Sequence, residues 1–233
     1  MNEHTSTRSR IVVFAGPSLR GGDVGELREL GTMAGSELEF RPPVRRHDLH
    51  DLVGAADTDA VVMLDGEFGQ NLAVSITEIR TVLSAGQRMS GASSMGALRA
   101  VECRTLGMNG TGWVYEQYLS GAVDSDGEVA LTYDPDDFTP VTIPLVNVRW
   151  LLAQKVQEGS LTADVSDAAL AAARGVLFRD RWPGLLLRRW KQVLPADAID
   201  VLELELLDEC RDAWDRKRLD AIEAVHMALG VWS

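Results

Sequence analysis

Two runs in the first third of the chain are apolar almost without interruption, Ile11-Val12-Val13-Phe14-Ala15 and Ala60-Val61-Val62-Met63-Leu64. A run that does not alternate marks a strand covered on both faces. Leu38-Glu39-Phe40, stopped by Pro42-Pro43, and residues 87–91 read as two further strands. Between them the period lengthens. A short helix is expected around Val24 to Met33, after a Gly21-Gly22-Asp23 loop, and Asp48 is expected to cap a short helix through Val53. Leu72, Ile76, Ile79 and Leu83 mark one face of another helix, with Glu78 off the stripe. Strands alternating with helices predict an α/β fold, a parallel sheet flanked by helices.

Later the pattern changes. Leu106 to Gly112 reads as a tight connection, and Thr139–Ile143 is expected to pair with 128–132 as a hairpin. From about residue 160 the spacing is helical throughout: an alanine-rich helix over 161–174, one after Trp182-Pro183-Gly184, and a long stretch from Ile199 towards Leu229. The expected organisation is a loose tail over 1–9, an α/β core over 10–158 and a mainly helical C-terminal region over 159–233.

Parallel strands gather the turns that follow them at one edge, where open α/β sheets build their sites. Those turns are Gly16-Pro17-Ser18, Asp65-Gly66-Glu67 and Gly91-Ala92-Ser93-Ser94. The last is a strand-to-helix turn of small residues. Centred on Ser94 it reads Ala92-Ser93-Ser94-Met95-Gly96, close to the G-x-S-x-G elbow that exposes a nucleophile beside a free amide. Ser94 and Ser93 are therefore candidate catalytic residues. The amides of Met95 and Gly96, with Arg99 and Ser18, are candidates to hold an anion or oxyanion. The other reading is that Ser93 or Ser94 only caps the helix. Asp65 and Glu67 place two carboxylates on one strand-end loop, which is either acid–base chemistry or a solvated turn.

Composition narrows the function classes. A formal charge of −12 over 233 residues disfavours binding to a phosphate backbone, so no nucleic-acid partner is expected. No apolar run is long enough to cross a bilayer, and the polar start lacks a signal core. With two distant cysteines, Cys103 and Cys210, the expectation is a cytoplasmic protein. Asp124, Asp126 and Glu128 cluster in a loop that misses the calcium pattern, so a solvated acidic loop is preferred. Gly107 to Gly112 has neither the phosphate-loop lysine nor the dinucleotide spacing. No metal and no cofactor is expected.

Several strings, taken in order, resemble TfuA-like proteins: Gly16-Pro17-Ser18-Leu19, Pro42-Pro43-Val44, Asp65-Gly66-Glu67-Phe68 and Gly91 to Ala100, then Tyr118, Gly121, Asp126, Glu128-Val129-Ala130 and Asn147-Val148-Arg149. The resemblance covers roughly residues 10 to 150. It implies a partner of a YcaO enzyme in backbone thioamidation of a peptide or protein, a chemistry used in making peptide antibiotics. It further implies that the chain supplies sulfur by hydrolysing the thiocarboxylate of a ThiS-like sulfur-carrier protein. On that reading Ser94 is nucleophile or oxyanion contact, Ser93 its neighbour, and Glu67 or Glu78 the base. Asp65, Asp48, Glu128, Asn147 and Arg149 are further candidates. The chain departs from the family's pattern at Ile76-Thr77-Glu78, where many members have His-Lys-Glu, at Tyr133, where many have histidine, and at His47-Asp48, usually Gly-Asp. Those departures favour an alternative, a non-catalytic adaptor that recruits or activates the YcaO enzyme. An unrelated ester hydrolase is a third possibility, which the scarcity of histidines opposes.

Overall fold

In a computed structural model, which describes residues 9–69 and 71–231, the two apolar runs become neighbouring strands inside a five-stranded parallel sheet. The strands are β1 (Ser9–Phe14), β2 (Ser36–Arg41), β3 (Thr58–Met63), β4 (Arg88–Gly91) and β5 (Asn109–Gly110), in the order β2-β1-β3-β4-β5. The helices are α1 (Gly21–Met33), α2 (Ile76–Ser84), α3 (Met95–Glu102), α4 (Trp113–Leu119), α5 (Leu145–Gln157), α6 (Ala163–Arg174), α7 (Pro183–Trp190), α8 (Ala196–Glu205), α9 (Asp208–Trp214) and α10 (Arg216–Leu229). This is an α/β fold with a helical C-terminal region. The tail expected over 1–9 lies outside the described residues up to residue 8, and Ser9 opens β1.

The chain divides into two units, one running to Ala122 and resuming at Leu219, the other Val123–Arg218. The boundary expected at 158–159 falls within the second, between α5 and α6. In the first unit the connection from β1 to β2 runs one way along the sheet and that from β3 to β4 the other. Right-handed crossovers then place α1 and α2 on opposite faces. Ile11, Val13 and Val62 share a core with Leu27 of α1 and with Ala221, Ala224 and Val225 of α10. Val12, Phe14, Val61 and Met63 are equally buried, which is why these strands read as unbroken apolar runs.

An ion-pair chain joins β1, β2 and the turn His50–Leu52: Arg10 to Glu39, Glu39 to Arg41 (2.6 Å) and Arg41 to Asp51 (2.9 Å). Burial pushes the Glu39 carboxyl up, but bonds from Arg41 and Arg10 outweigh it and hold the group below its ordinary 4.5. Asp51 is held below 3.8, chiefly by the Arg41 hydrogen bond. A depressed folded-state pKa adds stability above the unfolded value and loses it as pH falls through the folded one. Glu39→Gln is therefore expected to cost up to about 1 kcal/mol at neutral pH, this being a partly exposed pair. That gap should close as the pH drops below 4.5. Urea denaturation of both proteins across the acid range checks it.

The second unit packs α5 to α9 around Leu151, Leu152, Trp190 and Leu202, with Trp190 Nε1 donating to Ala169 O at 3.0 Å. The expected hairpin does not form. Residues 128–132 make no strand, and only an isolated antiparallel bridge joins Tyr133 to Pro140. Backbone pairing stops at Asp134 N–H to Thr139 O (2.9 Å) and Val141 N–H to Thr132 O (2.8 Å); beyond it side chains take the groups a ladder would need, buried Lys217 Nζ donating to Val129 O (3.0 Å) and Thr132 N–H to Thr142 Oγ1 (2.8 Å). The expected long helix is three: Leu207 turns extended (ψ 143°) between α8 and α9, and Asp215 leaves the helical region (ψ 82°) between α9 and α10, its carboxylate accepting the Arg218 N–H.

Three local expectations in the first unit also change. Asp48 accepts the Arg45 N–H (2.7 Å) instead of capping the next turn. α1 starts at Gly21 because Asp23 reaches back to Arg20 N (2.8 Å). The glycine-rich connection contributes β5, an edge strand. Among the described residues no helix is long and apolar enough to cross a membrane.

Candidate active site

The strand order changes direction between β1 and β3, the place beyond whose carboxyl ends open α/β sheets build their sites. Asp65, just past β3, reaches across to the β1 turn. Its Oδ2 accepts the N–H groups of Gly16 and Ser18 (both 2.9 Å), and its Oδ1 accepts the Ser18 hydroxyl (2.7 Å). Ser18 Oγ already directs its one hydrogen at Asp65, so the 2.7 Å contact with Ser93 is a bond that Ser93 donates. Asp65, Ser18 and Ser93 form one directed chain, each at most 2 % exposed.

Ser93 sits in an unusual backbone state. Its φ is +68°, and the Ser94 N–H returns to Ala92 O at 2.7 Å, the i to i+2 bond of a γ-turn. The form with positive φ is rare and strained, and strain of this kind collects at functional sites. The turn is held from below by close packing. A Cβ on Gly91 would lie 2.1 Å from Gly96 O, and Gly96 N–H donates to Leu64 O at 3.1 Å.

Ser94 occupies the N-cap position of α3 but makes no side-chain cap bond, and Ser93 spends its hydroxyl on Ser18. Neither serine caps through its side chain. Among the described residues Ser94 Oγ has no hydrogen-bond partner, and neither has the Met95 N–H that follows it. Gly96 differs from Met95, its amide being committed to Leu64.

The other candidates divide. Glu67 lies on the loop with Asp65, facing Arg45 at 3.3 Å, while Val44 N–H and Glu67 N–H lock the β2 and β3 loops together. Glu78 is engaged differently. Its carboxylate closes a capping box with Ser75 and accepts the His47 N–H at 2.5 Å. Burial raises its pKa, yet the bonds from Ser75 and His47 leave it below the ordinary value. Arg99 bonds Val74 O (3.0 Å) and Glu102, away from the serines. Glu128, Asn147 and Arg149 belong to the second unit. There Arg149 forks onto Glu128 (2.7 and 2.8 Å), and Asn147 bridges Asp215 and the Lys217 N–H. Asp124, Asp126 and Glu128 do not converge as metal ligands among the described residues.

A family model for TfuA-like proteins matches residues 65–182, half of the chain. The chain belongs to the TfuA-like family. Membership implies a role in thioamide biosynthesis with a YcaO enzyme. A search of curated proteins gave no match. The TfuA-like match begins at Asp65 and takes in the elbow, while Ser18 lies before it and joins the site only through β1. Sequence reasoning missed two features of this TfuA-like chain. Asp220, buried in α10, accepts the Trp113 and Val114 amides (3.0 and 2.7 Å) and fixes the start of α4. Ser75-x-x-Glu78 carried the capping-box signature that explains Glu78. A separate cavity of about 300 Å³, lined by Arg88, Ser90, Asn109 and Met227, contains none of the candidates.

Proposed function

We propose that this TfuA-like protein supplies sulfur to its YcaO partner in the cytoplasm by hydrolysing a thiocarboxylate on a ThiS-like carrier protein. The observation carrying this reading is the unpartnered Ser94 hydroxyl next to the unpaired Met95 amide, on a turn braced by Ser93, Ser18 and Asp65. A nucleophile beside a free amide is what acyl transfer requires. Ser94 Oγ adds to the thiocarboxylate carbon and its proton passes to Glu67. The Met95 N–H holds the oxyanion, the C–S bond breaks, and sulfur leaves as hydrosulfide with the proton from Glu67. Water then cleaves the acyl-serine, giving the carrier's carboxylate, a proton and free Ser94.

Sulfide release from a thiocarboxylated carrier tests this. Ser94→Ala is expected to lower the rate about 10²-fold or more, whether Ser94 attacks or holds the oxyanion. A rate unchanged in Ser94→Ala removes the assignment. One observation favours the adaptor instead: Ser94 is only 3 % exposed and Ser93 and Ser18 fully buried, so a substrate must open the turn to reach them. On that reading wild type releases no sulfide, and Ser94→Ala stimulates the YcaO enzyme as well as wild type does. Deleting the helical C-terminal region does not discriminate, because it removes α10 from the first unit's core.

A further inference from the structure

Two of the chain's four histidines stand three residues apart beside a carboxylate, away from the serine turn. His50 N–H donates to His47 O (3.1 Å), and this tight turn brings the two rings to 5.0 Å between centroids. Buried Leu49 between them does the packing, whereas both histidines are exposed. Among the described residues neither imidazole makes a hydrogen bond. His47 adopts φ +79°, and its N–H is fixed to Glu78 Oε1 at 2.5 Å, which tethers the carboxylate next to both rings. The other carboxylate oxygen is held by the Ser75 N–H (2.9 Å) and hydroxyl (2.7 Å). One ligand atom from each of His47, His50 and Glu78 lies within 4.8 Å of the others.

We propose that His47, His50 and Glu78 bind a divalent cation of the zinc type, with one coordination position left open. Two imidazole nitrogens and one carboxylate oxygen suit zinc, while calcium and magnesium prefer all-oxygen sites. Zinc bonds of about 2.0–2.2 Å set ligand atoms roughly 3.5 Å apart, so the cluster closes by about an ångström. Rotation of two exposed rings supplies that movement. The Ser75 bonds to Oε2 orient the carboxylate as a supporting group orients a ligand. Three protein ligands leave room for water or an incoming anion. The site does not depend on thiocarboxylate hydrolysis.

The test uses the full chain, freed of metal by chelation and titrated with zinc by calorimetry, and with cobalt(II) by visible absorption. Wild type is expected to bind one zinc and to give the intense bands of four-coordinate cobalt. His50→Ala and His47→Gly should each weaken binding about tenfold or more and abolish those bands. Glycine is at ease at φ +79°, so His47→Gly removes a ligand without straining the loop. Absence of saturable zinc binding by wild type overturns the proposal. So does unchanged affinity in the double variant His47→Gly/His50→Ala, which would place the metal elsewhere.

Discussion

Gly96→Ala is expected to unfold the first unit or to destabilise it by about 3 kcal/mol or more, the upper end of overpacking costs. The added Cβ would sit 1.8 Å from Met63 O and 2.6 Å from its carbonyl carbon. Both are backbone atoms of a central strand, so no side chain can swing aside. The same approach lets the Gly96 N–H reach Leu64 O, and this sets the depth of α3 against the sheet. Gly22→Ala is the control. Gly22 lies in α1 with nothing within 4 Å of the new methyl, so a gain of about 0.5–1 kcal/mol is expected from reduced backbone freedom. Chemical denaturation of the two variants reads the contrast. Equal stabilities would mean that α3 does not approach β3 this closely.

Asp65→Ala should cost about 3 kcal/mol and, on the proposed hydrolase reading, take sulfide release with it, because it orphans three buried donors at once: two backbone amides and the Ser18 hydroxyl. Asp65→Asn separates the two effects. Its carbonyl oxygen still accepts both amides, while its NH2 group faces Ser18 Oγ. Ser18 then accepts there and donates towards Ser93, so the chain of hydroxyls reverses. The stability loss falls to about 1 kcal/mol. On the same reading, sulfide release should nevertheless drop about tenfold or more, because the Ser93 hydroxyl that braces the turn is reoriented. Denaturation and sulfide release on the same preparations measure both effects, and an Asn variant with full activity would show that the chain only braces the fold.

The sheet was legible because a doubly covered strand has nothing polar to hide, and Ile11–Ala15 and Ala60–Leu64 say so outright. Ser18, Asp65 and Ser93 each stood out in the sequence as strand-end residues. Their linkage did not, since it depends on β1 and β3 being neighbours, a matter of strand order that no local spacing encodes. The hairpin over 128–143 failed for a similar reason: its carbonyl at Val129 is claimed by Lys217, eighty-eight residues away. The elbow was legible as a turn, but its strained residue is Ser93, next to the serine on which the motif centres. Glu78 was a candidate base through the family resemblance, standing where many members have His-Lys-Glu. Its use as a cap could have been read from Ser75 three positions earlier.

The part played by α10 bears on how the protein is made. Residues from Leu219 onward complete the core that Ile11, Val13 and Val62 begin, and Asp220 supplies the acceptor for the amides that open α4. Synthesis runs from the amino end, so the sheet emerges long before its cover does. At ordinary elongation rates the intervening Val123–Arg218 takes on the order of 5–20 s to appear. The second unit, contiguous in sequence, is free to fold in that interval while the face of the sheet that α1 and α10 share is covered by α1 alone. A chain that ends before Leu219 thus lacks Ala221, Ala224 and Val225 from that core, and the apolar side chains they cover face water.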